Sequence, residues 1–512
     1  MASRLLSTKP IDEILESAKG EKGGLRRALG PIHLVTLGIG AIIGAGIFVL
    51  TGQAAALYAG PAVVLSFILC GIGSAFAGLC YAEFASLIPI AGSAYTYAYA
   101  TLGELIAWII GWALVLEYSF GAATVASGWS GYFVSLLADF NVHVPPQWTA
   151  VPGTKLIMFQ GHWQILSNVL PAIKKLGINP ATLPHATGIF NLVALLAILV
   201  ITIILIVGVK ESANMNAAAV ITKISAVLIF IVLAAFFVIH HPQIAAANWH
   251  PFLPKNAGHF GEFGWSGVLR GASVIFFAYI GFDAVSTTAQ EARNPQKDMP
   301  IGIIGSLVIC TFLYIIVSGL LSAVVPYASL NVADPVAVGV NATGVRWGSI
   351  LVNVGAVAGI GSVMLVMLLG QSRVFWTMSQ DGLLPQWAGK VHPRFRTPWI
   401  SSIVVGIPVA IAAAFLPIAA LAELVNIGTL SAFVIVCLGV WVLRRKQPNL
   451  ERSFRTPWVP VVPILGAAIS LGLMAGLPAL TWCAFLSWGA FGLILYFSYG
   501  RRHSLLNSQA HK

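Results

Sequence analysis

The sequence predicts an all-α polytopic membrane protein with about 12 transmembrane helices, and three observations lead to this class. Of its 512 residues, 58% are hydrophobic and only 9% are charged, and the mean hydropathy is +0.88. A soluble globule of this length needs more polar groups to cover its surface. Apolar runs of roughly 20 residues, the length that crosses the hydrocarbon core as a helix, recur along the chain.

Each apolar run is taken as one membrane-spanning helix, and the polar segments between them are taken as connections. The expected spans are residues 32–57, 60–88, 104–134, 188–208, 213–239, 268–287, 301–326, 346–372, 398–417, 419–443, 458–478 and 481–499.

The positive charges predict how the chain is oriented. Residues 1–30 lack an apolar core followed by a cleavage site, so they do not resemble a secretory signal peptide. Of the 28 Lys and Arg residues, 21 fall on the N-terminal side of the predicted spans and five on the other side. Because cytoplasmic loops carry the excess of Lys and Arg, we expect a cell-membrane protein with both termini in the cytoplasm. The net charge of +11 then lies against anionic lipid and does not indicate nucleic-acid binding.

Two connections stand out from the rest. Residues 135–187 form the longest one, which we expect to be a partly ordered external loop that acts as a lid or a spacer. Its histidines, His143, His162 and His185, have no repeated metal-ligand spacing. Residues 89–103 are rich in Tyr and suit a helix that lies at the cytoplasmic interface.

The five cysteines all fall within predicted spans and have no metal-ligand spacing. We therefore expect small core residues, with no disulfide framework, no metal and no cofactor. They are Cys70, Cys80, Cys310, Cys437 and Cys483.

Two spans, five helices apart, contain glycines halfway along. The first has GIGAIIGAGIF at 38–48 and the second has IFFAYIGFD at 275–283. Backbone freed from helical bonding within a membrane persists only where it lines a cavity or is buried in protein. An offset of five helices reverses the orientation in the membrane, so the pattern predicts an inverted repeat with a midplane binding site. Alternatively, Gly44, Gly46 and Gly281 could merely permit close helix packing.

The predicted organisation follows from this pairing. It comprises a cytoplasmic segment, a first repeat with helices 1 to 5, a second repeat with helices 6 to 10, helices 11 and 12, and a cytoplasmic tail. The corresponding residues are 1–30, 31–240, 241–443, 444–500 and 501–512.

The chain resembles the amino acid–polyamine–organocation (APC) superfamily, and within it the bacterial members of the cationic amino acid transporter (CAT) group. Five stretches, read in order, carry the resemblance. They are GIGAIIGAGIF at 38–48, AGLCYAEF at 77–84, GSAYTYAYATLGEL at 92–105, GFDAVSTTAQEARNPQKDMPIGI at 281–303 and DGLLP at 381–385.

The resemblance implies a LeuT-type core, which is a five-plus-five inverted repeat with two additional helices, and proton-driven uptake or exchange of amino acids. Animal members of the group carry fourteen spans, whereas this chain has about 12 in the sequence. They also tend to have an uncharged residue at the position of Glu117, so a cationic substrate cannot simply be inherited from the group.

The first break offers complements to both charges of an amino acid. Unpaired N–H groups of Ala45, Gly46 and Ile47 begin the outer half-helix, and free carbonyls near Ile42, Ile43 and Gly44 end the inner half. In the sixth span we expect free carbonyls of Phe277, Ala278 and Ile280 to hold the ammonium group. Main-chain groups would then bind the substrate head.

Lys223 lies in the apolar run 213–239, where a lysine costs roughly 2.5 to 3.5 kcal/mol on insertion scales. It is too deep for its stem to reach water. The resemblance places a lysine here whose ammonium contacts carbonyls of the first break, in the space that sodium uses in related transporters. Our hypothesis is that loss of its proton couples proton flux to alternating access. The alternative is a structural lysine paired permanently with a carboxylate.

Other buried charges have two readings each. Glu117 could contact a cationic substrate side chain or pair with another buried charge. Asp283 follows the second break and could cap the inner half-helix or point into the site. Glu83 and the charged run at 291–298 suit cytoplasmic pairing, which could form part of an inner gate.

Phe276 and Phe277 could close over the substrate as a gate. Sodium coupling is the second transport hypothesis, although a lysine at the cation position opposes it. A non-concentrative channel or a sensor is a third. An enzyme is not expected, because no G-x-S-x-G or H-E-x-x-H motif appears.

The partners we expect are an L-amino acid, cationic or small and neutral, with protons and the lipid bilayer. The sequence leaves four questions open: which amino acid is the physiological substrate, whether transport is symport or exchange, what the oligomeric state is, and whether a small membrane subunit takes part.

Overall fold

The computed structural model of the protein is almost entirely helical. It describes residues 8–9, 29–88, 93–159, 162–166, 169–170, 173, 177–208, 213–395 and 397–506. Eight of its helices are long and apolar enough to cross a membrane, and four shorter apolar helices accompany them. The prediction of an all-α, multi-pass membrane protein is confirmed.

The spans follow one another in the predicted order, and two of them are built from separate pieces. Span 1 consists of Pro31–Ile42 and residues 46–59, and span 6 consists of Gly264–Ile275, Phe276–Tyr279 and Asp283–Glu291. The remaining spans, 2 to 5 and 7 to 12, are Val63–Leu87, Glu104–Asp139, Leu192–Val207, Ala213–His240, Pro295–Val324, Arg346–Gln380, Trp399–Phe415, Ile418–Lys446, Val461–Ala475 and Ala479–Leu495.

The packing of the helices follows the predicted inverted repeat. Spans 1, 2, 3 and 4 each contact the helix five positions later, namely spans 6, 7, 8 and 9. Span 1 also contacts span 7 as span 6 contacts span 2, and span 3 contacts span 10 as span 8 contacts span 5. A contact pattern that survives the exchange of each helix for its counterpart is what two repeats around a pseudo-two-fold axis produce. The fold is therefore a LeuT-type core with two additional helices.

The long connection after span 3 contains a small sheet that the sequence reading did not include. Strands β1 (Lys155–Phe159), β2 (His162–Ile165) and β3 (His185–Thr187) form an antiparallel sheet in the order β2, β1, β3. Ile157 and Phe159 pack on Val169 and Ile173 beneath it. The strands are short and alternate weakly, so periodicity alone does not distinguish them from loop.

The Tyr-rich segment between spans 2 and 3 is helical at Ser93–Thr101, but it does not lie on a surface as expected. Tyr95, Tyr97 and Tyr99 are all buried. The hydroxyl of Tyr95 donates to Asp381 Oδ2 at 2.7 Å, beside a salt bridge from Lys9 Nζ to the same carboxylate. Protein contacts, rather than lipid headgroups, surround these rings. Residues 89–92 lie outside the described part of the chain.

Four of the five cysteines are buried in the core as expected, and all five are free thiols. Cys483 is the exception, because it faces outward from span 12. The expectation of a core residue fails there since span 12 is a peripheral helix, and most of its apolar side chains are not covered by protein.

Candidate functional site

The break in span 1 lies between an inner and an outer half-helix. The inner half ends at Ile42, and Ile43 has an extended backbone with φ −73° and ψ 103°. The outer half begins at Gly46 with a wide, π-helical turn. Because the first amides of a helix have no partner within it, this start directs N–H groups into the break.

The break in span 6 is similar in position and different in detail. The helix tightens into a 3₁₀ turn at Phe276–Tyr279, and Ile280 is extended with φ −65° and ψ 138°. Gly281 follows with a φ of +118°, in the region that only glycine adopts readily. The chain resumes as a 3₁₀ helix at Asp283–Glu291.

The two breaks are packed directly against each other, and each depends on a glycine. A Cβ added at Gly46 would overlap the backbone of Ala278 in span 6. A Cβ added at Gly281 would come within 2.7 Å of the carbonyl oxygen of Ala41 in span 1. The two interpretations of these glycines, a binding site at the breaks or close helix packing, are both compatible with this geometry. The close packing is what brings the two breaks together.

Lys223 reaches the first break from span 5. Its side chain is fully buried, and Nζ donates to the carbonyl oxygen of Gly40 at 2.5 Å and to that of Ile43 at 3.2 Å. The salt bridges among the described residues do not include it. The partners of this ammonium are therefore main-chain oxygens freed by the break, and the alternative of a paired carboxylate finds no support.

Tyr314 in span 7 was missed by the sequence reading. Its hydroxyl lies 2.9 Å from the carbonyl oxygens of both Ile42 and Ala278, so it bridges the two breaks. A phenol has one hydrogen to donate, so it serves one of these oxygens at a time. Only the LYII pattern of an ordinary apolar span surrounds Tyr314 in the sequence, and no local signal marks it.

The prediction of free carbonyls at the breaks is therefore wrong in part. Tyr314 contacts those of Ile42 and Ala278, and Lys223 contacts that of Ile43. The main-chain N–H groups of Phe48 and Ile280 donate to the carbonyls of Gly44 and Phe277, each at 3.3 Å. Buried carbonyls rarely stay unpaired, which explains why the interior supplies donors. Each oxygen keeps a second lone pair for another donor.

Asn426 in span 10 is a second residue that the sequence reading missed. It is fully buried, and its Nδ2 donates to the carbonyl oxygens of Ser273 and Val274 at 2.7 and 3.0 Å. These oxygens lie at the end of the outer half of span 6. Span 10 is the repeat counterpart of span 5, so Asn426 does for span 6 what Lys223 does for span 1.

The buried carboxylates of Glu117 and Asp283 lie in the same region. Glu117 Oε1 and both oxygens of Asp283 lack a hydrogen bond of good geometry within the described residues, although the main-chain amides of Gly281 and Ala284 lie beside Asp283. The two carboxylates are close enough to repel each other when both are charged. The hydroxyls of Tyr97 and Tyr118 are also buried without a described partner, so this part of the interior contains several unsatisfied polar groups.

Asp283 does not cap the inner half-helix, which was the first of the two roles considered for it from the sequence. Phe282 occupies the N-cap position, and no side-chain capping bond is formed there. The positive φ of Gly281 turns the chain so that Asp283 is already inside the first turn, where the amides of Gly281 and Ala284 lie beside its carboxylate.

The candidate gate residues Phe276 and Phe277 are both buried. Phe276 makes an edge-to-face contact with Phe433 of span 10 at a centroid distance of 5.6 Å, which is ordinary core packing. Opposite the first break, span 8 places Val363 Cγ2 at 3.2 Å from a Cβ added at Gly44, so Val363 would have to shift slightly to admit a side chain there.

Three ion pairs lie at the two ends of the core, one at the first end and two at the other. In the outer half of span 6, Arg270 pairs with Glu423 of span 10, and Glu423 also accepts from Thr481 Oγ1 at 2.7 Å. At the other end, Glu83 of span 2 accepts from Arg444 Nε at 2.8 Å and lies 3.1 Å from Arg452 Nε. The expectation that Glu83 forms ion pairs agrees with this geometry.

An all-helical core of two inverted repeats, with an interrupted helix at the start of each, defines a LeuT-type secondary transporter. The chain matches the amino acid permease family over residues 29–490 and belongs to that family. It lies within the APC superfamily, as the sequence reading expected.

Several curated proteins match nearly the whole chain. A methylthioribose transporter of Bacillus subtilis (strain 168) is 46% identical over 505 residues, covering 99% of this chain and 100% of the relative. The branched-chain amino acid permease BcaP of the same organism is 44% identical over 508 residues, with 99% and 100% covered. Cationic amino acid transporter 4, vacuolar, of Arabidopsis thaliana is 35% identical over 447 residues, with 87% and 68% covered. All three relatives are named as transporters or permeases, which agrees with the expectation that this protein is a transporter and not an enzyme.

Proposed function

We propose that this protein is a proton-coupled amino acid transporter of the cell membrane, with both termini in the cytoplasm. It binds the α-amino acid head at the breaks of spans 1 and 6 and works by alternating access, as a symporter or an exchanger. The observation that carries the proposal is the contact between the buried amine of Lys223 and the carbonyls of Gly40 and Ile43.

The substrate carboxylate is assigned to the start of the outer half of span 1. Main-chain amides of Ala45, Gly46 and Ile47 lie there, and the positive end of the half-helix favours an anion. No basic side chain is needed for this half of the substrate.

The substrate ammonium is assigned to the carbonyls of Ile43, Phe277, Ala278 and Ile280. Because protein donors already contact several of these oxygens, the ammonium uses their second lone pairs or displaces the hydroxyl of Tyr314. Binding then exchanges one donor for another and avoids leaving buried oxygens unpaired.

Lys223 supplies the coupling. When charged, it holds the inner half of span 1 through two main-chain oxygens, and a neutral amine donates more weakly to the same oxygens. Release of its proton therefore loosens span 1 relative to span 5 and permits the inner half-helix to move. Glu117 and Asp283 lie beside the site and are assigned to recognition of a cationic or small neutral substrate.

The decisive experiment compares Lys223 variants in proteoliposomes. We expect Lys223→Ala to bind substrate but to lose accumulation driven by a pH gradient, while Lys223→Arg keeps the charge and loses the ability to release it. Lys390→Ala, which removes an exposed lysine between spans 8 and 9, is the matched control. Concentrative uptake with a normal pH dependence in Lys223→Ala would refute the coupling role.

The substrate class is tested separately. Thermal-shift measurements with the twenty amino acids should reveal ligands that stabilise the protein, and methylthioribose belongs in the same screen because one relative is named for it. Methylthioribose lacks the ammonium and carboxylate of an amino acid. Stabilisation by methylthioribose and by none of the amino acids would overturn the assignment of the breaks to an amino acid head.

Sodium coupling is the second candidate, and a non-concentrative channel or sensor is the third. Sodium would need the oxygens that Lys223 contacts, and two cations would compete for one space. Uptake that continues unchanged without sodium disfavours the second candidate, and accumulation against a gradient disfavours the third.

A further inference from the structure

The end of span 10 and the chain that follows it carry a dense group of basic side chains. Arg444, Arg445 and Lys446 form the last turn of span 10, and Arg452 and Arg455 follow in the connection to span 11. We call these five residues the span 10 basic surface. They belong to none of the binding groups assigned above.

Among the described residues, the salt bridges to this surface come from a single acid. Glu83 pairs with Arg444 and with Arg452, and Glu451 is the one acid within residues 444–455. Burial lowers the pKa of Arg452, Glu83 raises it, and the neighbouring guanidinium groups of Arg444 and Arg455 lower it again. The guanidinium groups therefore repel one another, and an additional anion would relieve that repulsion.

The part of the surface that forms no salt bridge with Glu83 is exposed to solvent. Arg445, Lys446 and Arg455 are all exposed, whereas Arg452 is buried against the core. The three exposed cations can therefore contact an external anion without breaking the ion pairs of Glu83.

Two tryptophans neighbour these cations along the chain. The guanidinium of Arg445 lies over the ring of Trp441 at 4.5 Å, and Trp458, 80% exposed, stands just before span 11. Trp is enriched where a transmembrane helix meets the headgroup region. The surface therefore sits where the ends of two spans meet, at the level of lipid headgroups.

We propose that the span 10 basic surface binds the phosphodiester headgroup of an anionic phospholipid, with Arg445, Lys446 and Arg455 as its contacts. A phosphodiester offers the acceptor oxygens that guanidinium groups bind in pairs. A lipid fits better than a free phosphate, because Trp441 and Trp458 give the attached glycerol and acyl chains apolar contacts.

The proposal is tested on the purified full-length protein by native mass spectrometry and by thermal unfolding. The probes are phosphatidylglycerol, phosphatidylcholine and inorganic phosphate. We expect phosphatidylglycerol to be retained and to raise Tm. In Arg445→Gln/Lys446→Gln/Arg455→Gln its affinity should fall at least about tenfold, because each basic residue near an anionic membrane surface contributes about fivefold to binding.

Two further variants separate a local site from general charge attraction. Lys390→Gln/Arg501→Gln/Arg502→Gln removes the same charge from other connections and should retain phosphatidylglycerol like the parent. Arg445→Lys/Arg455→Lys keeps the charge but removes the paired guanidinium donors, so it should bind phosphatidylglycerol more weakly than the parent and more tightly than the triple variant. Equal loss in the two triple variants, equal retention of phosphatidylcholine, or the same stabilisation by phosphate alone would each overturn the proposal.

Discussion

Replacing Gly281 with alanine tests whether the two breaks depend on each other. Gly281 combines a φ of +118° with a backbone that lies against Ala41 of span 1. An alanine there strains its own backbone, and its Cβ also presses span 6 against the carbonyl of Ala41 in span 1. The two effects together disturb the geometry of both breaks.

The expected cost is the sum of two terms. A non-glycine residue held in an unfavourable φ region costs about 1 to 3 kcal/mol. Overpacking against backbone that cannot move aside costs about 1 to 3 kcal/mol more. For a chain of about 500 residues, 1 kcal/mol corresponds to roughly 1 °C in Tm, so we expect Gly281→Ala to unfold about 2 to 6 °C below the parent.

The assay is thermal unfolding of detergent-purified protein, with substrate uptake in proteoliposomes measured beside it. Gly472→Ala is the matched control, because Gly472 lies in span 11 with no heavy atom within 4 Å of an added Cβ. The control should be as stable as the parent or slightly more so, since alanine favours a helix. If Gly281→Ala unfolds within 1 °C of this control, or transports normally, the mutual packing of the breaks is not what the site requires.

Two other substitutions probe the donors around the breaks, and a third probes the ion pair of Arg270 with Glu423. Tyr314→Phe should lower Tm by an amount equivalent to about 1 to 2 kcal/mol and increase the stabilisation produced by substrate, because a ligand ammonium can restore the lost hydrogen bond; an unchanged ligand effect would contradict this. Asn426→Ala should lower Tm in the same assay while leaving the pH profile of uptake as in the parent, and a shifted profile would show that its role is not confined to packing. Arg270→Gln should destabilise the protein by up to about 3 to 5 kcal/mol, because it leaves Glu423 buried without its salt-bridge partner. The double variant Arg270→Met/Glu423→Leu removes both charges and should unfold at a temperature nearer to that of the parent. Equal Tm values for the single and double variants would argue against a stabilising ion pair.

The span order and the interrupted helices could be predicted because both follow from local sequence. Apolar length identifies a spanning helix, and glycines at 44, 46 and 281 weaken two of them at repeat-related places. Lys223 could be singled out for the same reason, since a lysine among apolar residues is costly and conspicuous.

The donors at the breaks could not be predicted in full, because they depend on helices that are distant in the sequence. Tyr314 and Asn426 are unremarkable in their own spans, and only the packing of spans 7 and 10 against the breaks brings their side chains to main-chain oxygens. Three of the carbonyls expected to be free, those of Ile42, Ile43 and Ala278, are occupied for this reason.

The strands and the outward cysteine were missed for a different reason. The sheet at residues 155–187 uses short strands whose pattern is too weak to separate from a loop. Cys483 was assigned to the core because it is small and apolar, but a membrane helix at the periphery meets lipid, and small apolar residues are equally at home there.

The donors from spans 5 and 10 repeat each other in position but not in chemistry. A carboxamide keeps its hydrogens at any physiological pH, whereas an amine can give one up. The hold of Asn426 on the sixth helix is thus fixed, while that of Lys223 on the first depends on the ionic state of a single nitrogen. In the proposed transport cycle, two halves that mirror each other in shape therefore respond unequally to acid, and the half held by Asn426 is the steady frame against which the half held by Lys223 shifts.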